Sequence, residues 1–129
     1  MANKKLHGEH NQDLCHQLFD NKKYFDWVVT TAFYSAIHFV EDFILPCDVC
    51  GATCKNIYDV KSAYNMPGRH ASRERLVFEK ISPSIGARYK WLDDNSRNAR
   101  YTTYKITIAQ AEKAKQYLSE IKKACYPEK

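Results

Sequence analysis

The segment from Lys23 to Leu45 constrains the fold most, because it is long enough for a helix and apolar on most of its faces. Its apolar residues are Phe25, Val28, Val29, Phe33, Ile37, Phe39, Val40 and Ile44. A helix that is apolar on nearly every side must be buried, since no side can face water at low cost. Pro46 ends this helix, because proline cannot continue the backbone hydrogen bonding. The rest of the chain must therefore surround it.

Helical periodicity on both sides of this segment predicts the surrounding elements. Leu6, His10, Leu14 and Leu18 recur at every fourth position and predict a first helix over about 5–20. An irregular loop is predicted over about 46–68, with one helical turn near 56–64. A helix over about 70–81 follows, and then a helix from Ser82-Pro83 to Asp93 or Asp94. The last predicted helix is long: Asn95 or Ser96 caps it, and it runs to Cys125. No segment has the pattern of a strand. The sequence predicts one all-α domain over 1–129, an up-and-down bundle of four to five mostly antiparallel helices.

Basic residues are concentrated in the second half of the chain. Residues 1–64 carry six lysines and eight acids, a net charge of −2, whereas residues 65–129 carry fourteen Lys and Arg and seven acids, a net charge of +7. All six arginines lie in the second half. This asymmetry favours a basic surface that meets phosphates or an acidic partner, and an ordinary solvated helical surface is the alternative.

The cysteines indicate a compartment and a weak metal motif. Five cysteines, and no apolar stretch behind the charged N-terminus, favour a reducing, cytoplasmic setting. The most apolar segment is too short for a transmembrane helix, so no membrane partner is expected. Cys47, Cys50 and Cys54 have the spacing of half a zinc knuckle, and His70 could supply a fourth ligand. Free thiols in a loop are the favoured interpretation, and we expect neither a metal nor another cofactor.

A polar stripe at every fourth position crosses the apolar helix. It consists of Asp26, Thr30, Tyr34, His38 and Asp42. Buried polar groups need hydrogen-bond partners, so the stripe either forms a network between helices or lines a functional groove. In the second case His38 could act as an acid or a base, because the ordinary pKa of histidine lies near neutrality.

A second candidate site lies near the predicted start of the last helix. Arg97 and Arg100 are three residues apart there, with Tyr101 and Tyr104 on the same side. Guanidinium groups beside exposed aromatic rings suit contacts with phosphates and bases. Two arginines at a helix N-terminus would also oppose the helix dipole, which is a local cost. Three acids could instead pair with the arginines, leaving the tyrosines in the core: Asp93, Asp94 and Glu74.

The order of these features resembles the HEPN domain (higher eukaryotes and prokaryotes nucleotide-binding), over nearly the whole chain. The residues that carry the resemblance are Tyr24-Phe25-Asp26-Trp27, Ala32-Phe33-Tyr34-Ser35-Ala36-Ile37-His38, His70 with Arg73, and Tyr89 and Leu92 before Ser96-Arg97-Asn98-Ala99-Arg100-Tyr101. The resemblance implies a helical up-and-down bundle that usually dimerises. Active members of the family are metal-independent RNases of toxin–antitoxin, abortive-infection and CRISPR-linked defence systems. We therefore expect a homodimer, with a cognate antitoxin or nucleotidyltransferase as a further partner.

The RNase motif of the toxin branch is an Arg, four residues, a His, one residue and a Tyr, usually with a polar residue after the Arg. In this sequence Arg97 matches the Arg, Asn98 the polar residue and Tyr104 the Tyr, but Thr102 stands at the position of the His. A threonine hydroxyl cannot exchange protons near neutral pH, and general acid–base help contributes about 10²–10⁴-fold to a rate. The sequence therefore predicts RNA binding with weak or absent cleavage, unless another histidine fills the role.

Three hypotheses follow. The leading one is an RNA-binding component of a prokaryotic defence or toxin–antitoxin system. Its catalytic candidates are Arg97, Arg100, His38 and Tyr104, and its nucleic-acid-binding candidates are Arg97, Asn98, Arg100, Tyr101, Arg73 and His70. The second hypothesis is a non-enzymatic interaction subunit of a larger defence or regulatory assembly. The third is a small metal-binding regulator that uses the loop from Cys47 to Cys54.

Overall fold

Helices pack around the apolar second helix in the computed structural model, which describes residues 3–127. The elements are α1 (Lys4–Asn21), α2 (Phe25–Ile44), β1 (Cys47–Val49), β2 (Ala52–Cys54), α3 (Ile57–Tyr64), α4 (Arg69–Lys80), α5 (Pro83–Tyr101) and α6 (Ile108–Cys125). Helices α1, α5 and α6 all pack directly against α2. This arrangement confirms the predicted all-α bundle and adds one two-stranded hairpin to it.

The burial of α2 includes polar side chains as well as apolar ones. Eleven of its residues are buried, and its backbone ends as a helix just before Pro46. The hydroxyl of Thr30 donates to the carbonyl oxygen of Asp26 at 2.8 Å, one turn earlier. The hydroxyl of Ser35 instead donates to the carbonyl oxygen of Gly8 in α1, at 2.6 Å. Part of the polar stripe is thus satisfied within the helix, and Ser35 beside it ties α2 to α1.

The predicted boundary between the last two helices is wrong. Helix α5 continues through Asn95 and Ser96, whose side chains donate to carbonyl oxygens of the preceding turn, at 2.8 Å and 2.9 Å, instead of capping a new helix. The helix ends instead before residues 102–107, where β-branched residues are frequent and disfavour a helix. Thr107 and Gln110 then form a capping box that starts α6. The predicted long last helix is therefore divided: its first part continues α5, and its remainder is α6.

This correction reverses the electrostatic setting of two site residues. Arg97 and Arg100 lie in the last turns of α5 rather than in the first turn of a helix. Positive charges near a helix C-terminus are stabilised by the helix dipole, so the arginines carry no local cost there.

The segment over 46–68 is more regular than predicted. Strands β1 and β2 pair antiparallel around Cys50 and Gly51, whose positive φ angles suit a tight hairpin turn. Each strand has only three residues, which is too short for a recognisable alternation of polar and apolar residues. Helix α3 follows, and the side chain of Asn56 caps it by accepting a hydrogen bond from the backbone of Asp59.

Gly8 marks the closest approach of α1 to α2 and gives a direct test of this packing. A Cβ atom at this position would lie 2.6 Å from Cε1 of the buried Phe39 ring. We expect Gly8→Ala to lower the free energy of unfolding by about 1–3 kcal/mol, because the ring must move within a filled core. Urea denaturation followed by circular dichroism measures this change.

The matched control adds a side chain where there is space. At Gly68, the residue before α4, a Cβ atom meets nothing within 4 Å, and a serine hydroxyl there can cap the helix. We expect Gly68→Ser to leave stability unchanged or to raise it. Equal losses in the two variants would contradict the close packing at Gly8.

Candidate nucleic-acid interface

A buried ion pair lies where α2, α4 and α5 meet. The Nε atom of Arg73 in α4 donates to Oε2 of Glu41 in α2 at 2.8 Å, and the arginine side chain is only 6% exposed. Tyr89 of α5 is fully buried beside them, and burial raises the pKa of its hydroxyl, which therefore stays protonated. Arg73 was predicted to bind nucleic acid. The structure instead places its guanidinium inside the bundle, where it joins two helices.

His70 lies one turn before Arg73, at the outer edge of this ion pair. An Nη atom of Arg73 is 3.4 Å from Nδ1 of His70, and because arginine can only donate, Nδ1 must accept. Burial is the largest cause that lowers the pKa of His70, followed by the positive charge of Arg73. The imidazole is therefore neutral near pH 7, and its single proton sits on Nε2. His70 can donate a hydrogen bond, but its remaining acceptor is already engaged.

Arg97 is anchored at one end and open at the other. Its guanidinium donates to Oδ1 of Asp93, one turn earlier, at 3.2 Å, while its side chain remains 54% exposed. Asn98 and Tyr101 line an open hollow of about 410 Å³ together with Arg97. The positive charges of Arg97 and Arg100 are among the lesser causes that lower the pKa of His70.

Arg100 lies between two aromatic rings. Its guanidinium carbon is 5.4 Å from the ring centre of Tyr34 in α2 and 5.3 Å from that of Tyr101, distances typical of cation–π contacts. The side chain forms one long hydrogen bond, to the hydroxyl of Ser96 at 3.4 Å. Its Nε atom is buried and has no hydrogen-bond partner among residues 3–127. Most donors of this guanidinium are therefore uncommitted.

The structure separates one of the predicted catalytic residues, His38, from this region. The ring of His38 stacks on that of His7 in α1, with centroids 3.8 Å apart, and burial followed by the charge of His7 lowers the pKa of His38. Tyr104 lies in the connection between α5 and α6 and is strongly exposed. The proposed quartet of Arg97, Arg100, His38 and Tyr104 thus does not form one compact cluster.

A cleft of about 470 Å³ was missed by the sequence interpretation. It lies between the first turns of α2 and the end of α5, and Asp26, Trp27, Arg100, Tyr101 and Tyr104 are among its lining residues. The cleft exists because α5 ends at Tyr101. The signal that could have revealed this end was the Thr107-x-x-Gln110 capping box, which fixes the start of α6.

The loop thiols do not assemble into the zinc site that their spacing suggested. Cys47 and Cys54 are free thiols that lie opposite each other in the register of the hairpin, with Cys54 buried. Cys50 is exposed at the turn. Within the part of the chain that the structure describes, these cysteines and His70 do not bring three ligand atoms close enough to share an ion. The geometry therefore offers no support for the metal-binding hypothesis.

Two carboxyl groups meet at the interface of α4 and α5, next to Arg97. Atoms of Glu74 and Asp93 lie within 4.8 Å of each other, and Oδ2 of Asp93 is buried with no hydrogen-bond partner in the described chain. Burial, followed by the effect of the neighbouring Asp93 carboxyl, raises the pKa of Glu74 to about 7. A protonated Glu74 can donate to this unpartnered oxygen. Lys90 and Asp94 are the other charged groups that act on Glu74.

This pair predicts a specific pH dependence of stability. The pKa of Glu74 in the folded protein is raised to about 7 from an ordinary 4.5, so the folded state keeps a proton that the unfolded chain loses between these values. The stability that this proton contributes is present at low pH and is lost as pH rises towards 7. We expect Glu74→Gln, whose amide can donate to Asp93 at any pH, to raise Tm by about 2–5 °C at pH 8 and to change it little at pH 5.

Thermal melts at the two pH values measure the effect, with Glu112→Gln as control. Glu112 is exposed on α6 and should give the same Tm change at both pH values. Histidines whose pKa is lowered on folding change stability in the opposite sense, so only the difference from wild type isolates Glu74. A Tm difference independent of pH would contradict the shared proton.

Comparison with protein-family models, with curated proteins and with solved structures finds no match to this chain. Within residues 3–127, no helix combines the length and apolar character needed to cross a bilayer. What the protein does must therefore be inferred from the surface itself. We define the basic surface as Tyr34, His70, Arg97, Arg100 and Tyr101. It combines two arginines, one histidine that can donate a hydrogen bond and two exposed aromatic rings.

Proposed function

We propose that this protein is a HEPN-like, RNA-binding component of a prokaryotic defence or toxin–antitoxin system, and that it binds RNA through the basic surface. The observation that carries the proposal is the arrangement of Arg100, whose guanidinium lies between the rings of Tyr34 and Tyr101 with most of its donors uncommitted. Single-stranded RNA offers the matching groups, since phosphates accept from guanidinium donors and unstacked bases pack on aromatic rings.

The other members of the basic surface extend this chemistry. Arg97 keeps a half-exposed guanidinium beside the hollow that Asn98 and Tyr101 line, so it can contact a second phosphate. His70 contributes a neutral ring whose Nε2 proton is available for donation. Tyr101, at 78% exposure, presents a ring that the bundle does not use for packing. Such groups bind an RNA backbone and stack on bases without requiring a particular sequence.

The same geometry supports binding more than cleavage. Cleavage at a 2′-hydroxyl needs a group that accepts its proton. In His70 the Nδ1 atom already accepts from Arg73, and Nε2 carries the proton. The ring of His38 is stacked on that of His7 in α1, and Thr102 is the C-cap residue of α5. Without a histidine to accept the proton, the arginines can stabilise charge on a phosphate but lack the base of the family's motif.

A non-enzymatic interaction subunit is the second candidate, and exposed aromatic rings around the cleft favour it. Trp27, Tyr101 and Tyr104 all present large apolar area to solvent, and such residues are enriched at protein interfaces. A second copy of the chain, in the homodimer that the HEPN resemblance implies, could cover them. Salt-dependent RNA binding distinguishes the two candidates, since an interface for protein alone gives none.

We expect single-stranded RNA to bind with an affinity that falls steeply as salt increases. Each arginine that contacts a phosphate adds about 0.7 to the slope of log K against log salt for a single strand. Arg97→Ala and Arg100→Ala should each reduce the slope by about that amount, as fluorescence anisotropy with a labelled oligonucleotide can measure. Arg75→Ala is the control, because Arg75 is exposed on α4 but pairs with Glu79 outside the basic surface. Equal losses in all three variants would refute a localised interface.

Cleavage is expected to be weak or absent. Purified protein incubated with total RNA in EDTA should leave the RNA intact on a denaturing gel, because His70, whose Nδ1 already accepts from Arg73, offers no free ring nitrogen for a proton. His38→Ala and His70→Ala are run beside the wild type. Strong cutting by the wild type that disappears in one of these variants would show that this histidine supplies the missing proton transfer.

A further inference from the structure

We infer that the cleft beside Arg100 holds one unpaired guanine base of the bound RNA, and that the carboxylate of Asp26 recognises it. This inference rests on the proposed RNA binding and deepens it by naming the base. The cleft measures about 470 Å³ and is lined by Asp26, Trp27 and Arg100, with Tyr101 and Tyr104. Small-molecule sites typically occupy about 300–1,000 Å³, so the cleft has room for a single nucleotide.

The acceptor in the cleft is unused. The carboxylate of Asp26 forms no hydrogen bond and no ion pair with any residue from 3 to 127. The backbone oxygen of the same residue accepts from Thr30, so only the side chain is open to a ligand. A half-buried carboxylate without partners gains most from a ligand that presents two donors at once, since an ionised carboxylate can only accept.

Guanine is the base that meets this requirement. Its Watson–Crick edge carries the N1–H and N2–H donors side by side, which match the two oxygens of a carboxylate. Adenine and cytosine present a donor next to an acceptor, and uracil presents one donor between two acceptors, so each would set an acceptor against a carboxylate oxygen. A carboxylate that accepts two hydrogen bonds from its ligand rejects analogues that lack those donors, because its oxygens then stay unpaired.

The other lining residues hold the rest of the nucleotide. Trp27 is 51% exposed and presents an indole on which a base can stack. Arg100 lies at the junction of the cleft and the basic surface, so a nucleotide seated in the cleft has its phosphate within the basic surface. The base and the backbone of one RNA strand thereby meet complementary groups in one continuous path.

Binding of four hexanucleotides tests the assignment: hexauridylate and three versions with a single internal G, A or C. Fluorescence anisotropy should show about tenfold tighter binding of the G-containing strand, the usual discrimination of a bidentate pair. Asp26→Asn should reduce this preference to less than twofold. Asp48→Asn is the matched control, since it removes the same charge from the β1–β2 hairpin, away from the cleft. It should keep the preference.

A second readout locates the base. Tryptophan fluorescence should be quenched by the G-containing strand in the wild type and not in Trp27→Phe, because the other tryptophan, Trp91, packs against Tyr117. Guanosine 5′-monophosphate alone should bind at least tenfold more weakly than the strand, since it lacks the neighbouring phosphates. If guanosine 5′-monophosphate bound as tightly as the G-containing strand, the assignment of the cleft to a base of bound RNA would be overturned.

The outcomes separate this inference from the proposed function. Binding that is salt-dependent but equal for all four strands overturns the guanine site and leaves RNA binding intact. A guanine preference that survives in Asp26→Asn, with a wild-type melting curve, overturns the role of Asp26. Absence of binding to every strand overturns RNA binding and the guanine site together.

Discussion

The burial of α2 on most of its sides is the constraint on which the rest of the structure depends. A helix this apolar must be enclosed, so α1, α5 and α6 pack around it. Burial also favours partners for the polar side chains of α2 that face neighbouring helices. Ser35 reaches the backbone of α1, and Glu41 reaches Arg73 of α4. These bonds set how the neighbouring helices sit on α2, and thereby which of their residues reach the surface.

The Glu41–Arg73 ion pair links this core to the candidate site. Leaving Arg73 unpaired inside the bundle would be costly, and Glu41, which also pairs with Lys4 at 3.4 Å, ties it to α2. Arg73 in turn engages Nδ1 of His70 and so determines which ring nitrogen carries the proton. Arg73, which the sequence predicted to bind nucleic acid, therefore lies inside the bundle and not on its surface. It makes its neighbour a hydrogen-bond donor.

Termination of α5 at Tyr101 has the largest functional consequence. It moves Arg97 and Arg100 to a helix C-terminus, where the dipole favours their charge. It also frees residues 102–104 to form one wall of the cleft, opposite the start of α2. The aromatic and charged residues of two distant segments, Asp26-Trp27 and Arg100-Tyr101, are then close enough to act on one ligand.

The sequence by itself determined the all-α class and the central helix, and it marked Arg97 and Arg100 as candidates, because apolar periodicity and charge are local properties of the chain. It could not decide where α5 ends, since Asn95 and Ser96 have the side chains of helix caps and their actual bonding depends on the continuing helix. Only tertiary packing decided that Arg73 is buried, that His38 faces α1, and that Tyr34 joins Arg100. Those outcomes depend on which helix faces which, and contacts between residues far apart in sequence leave no periodic signal.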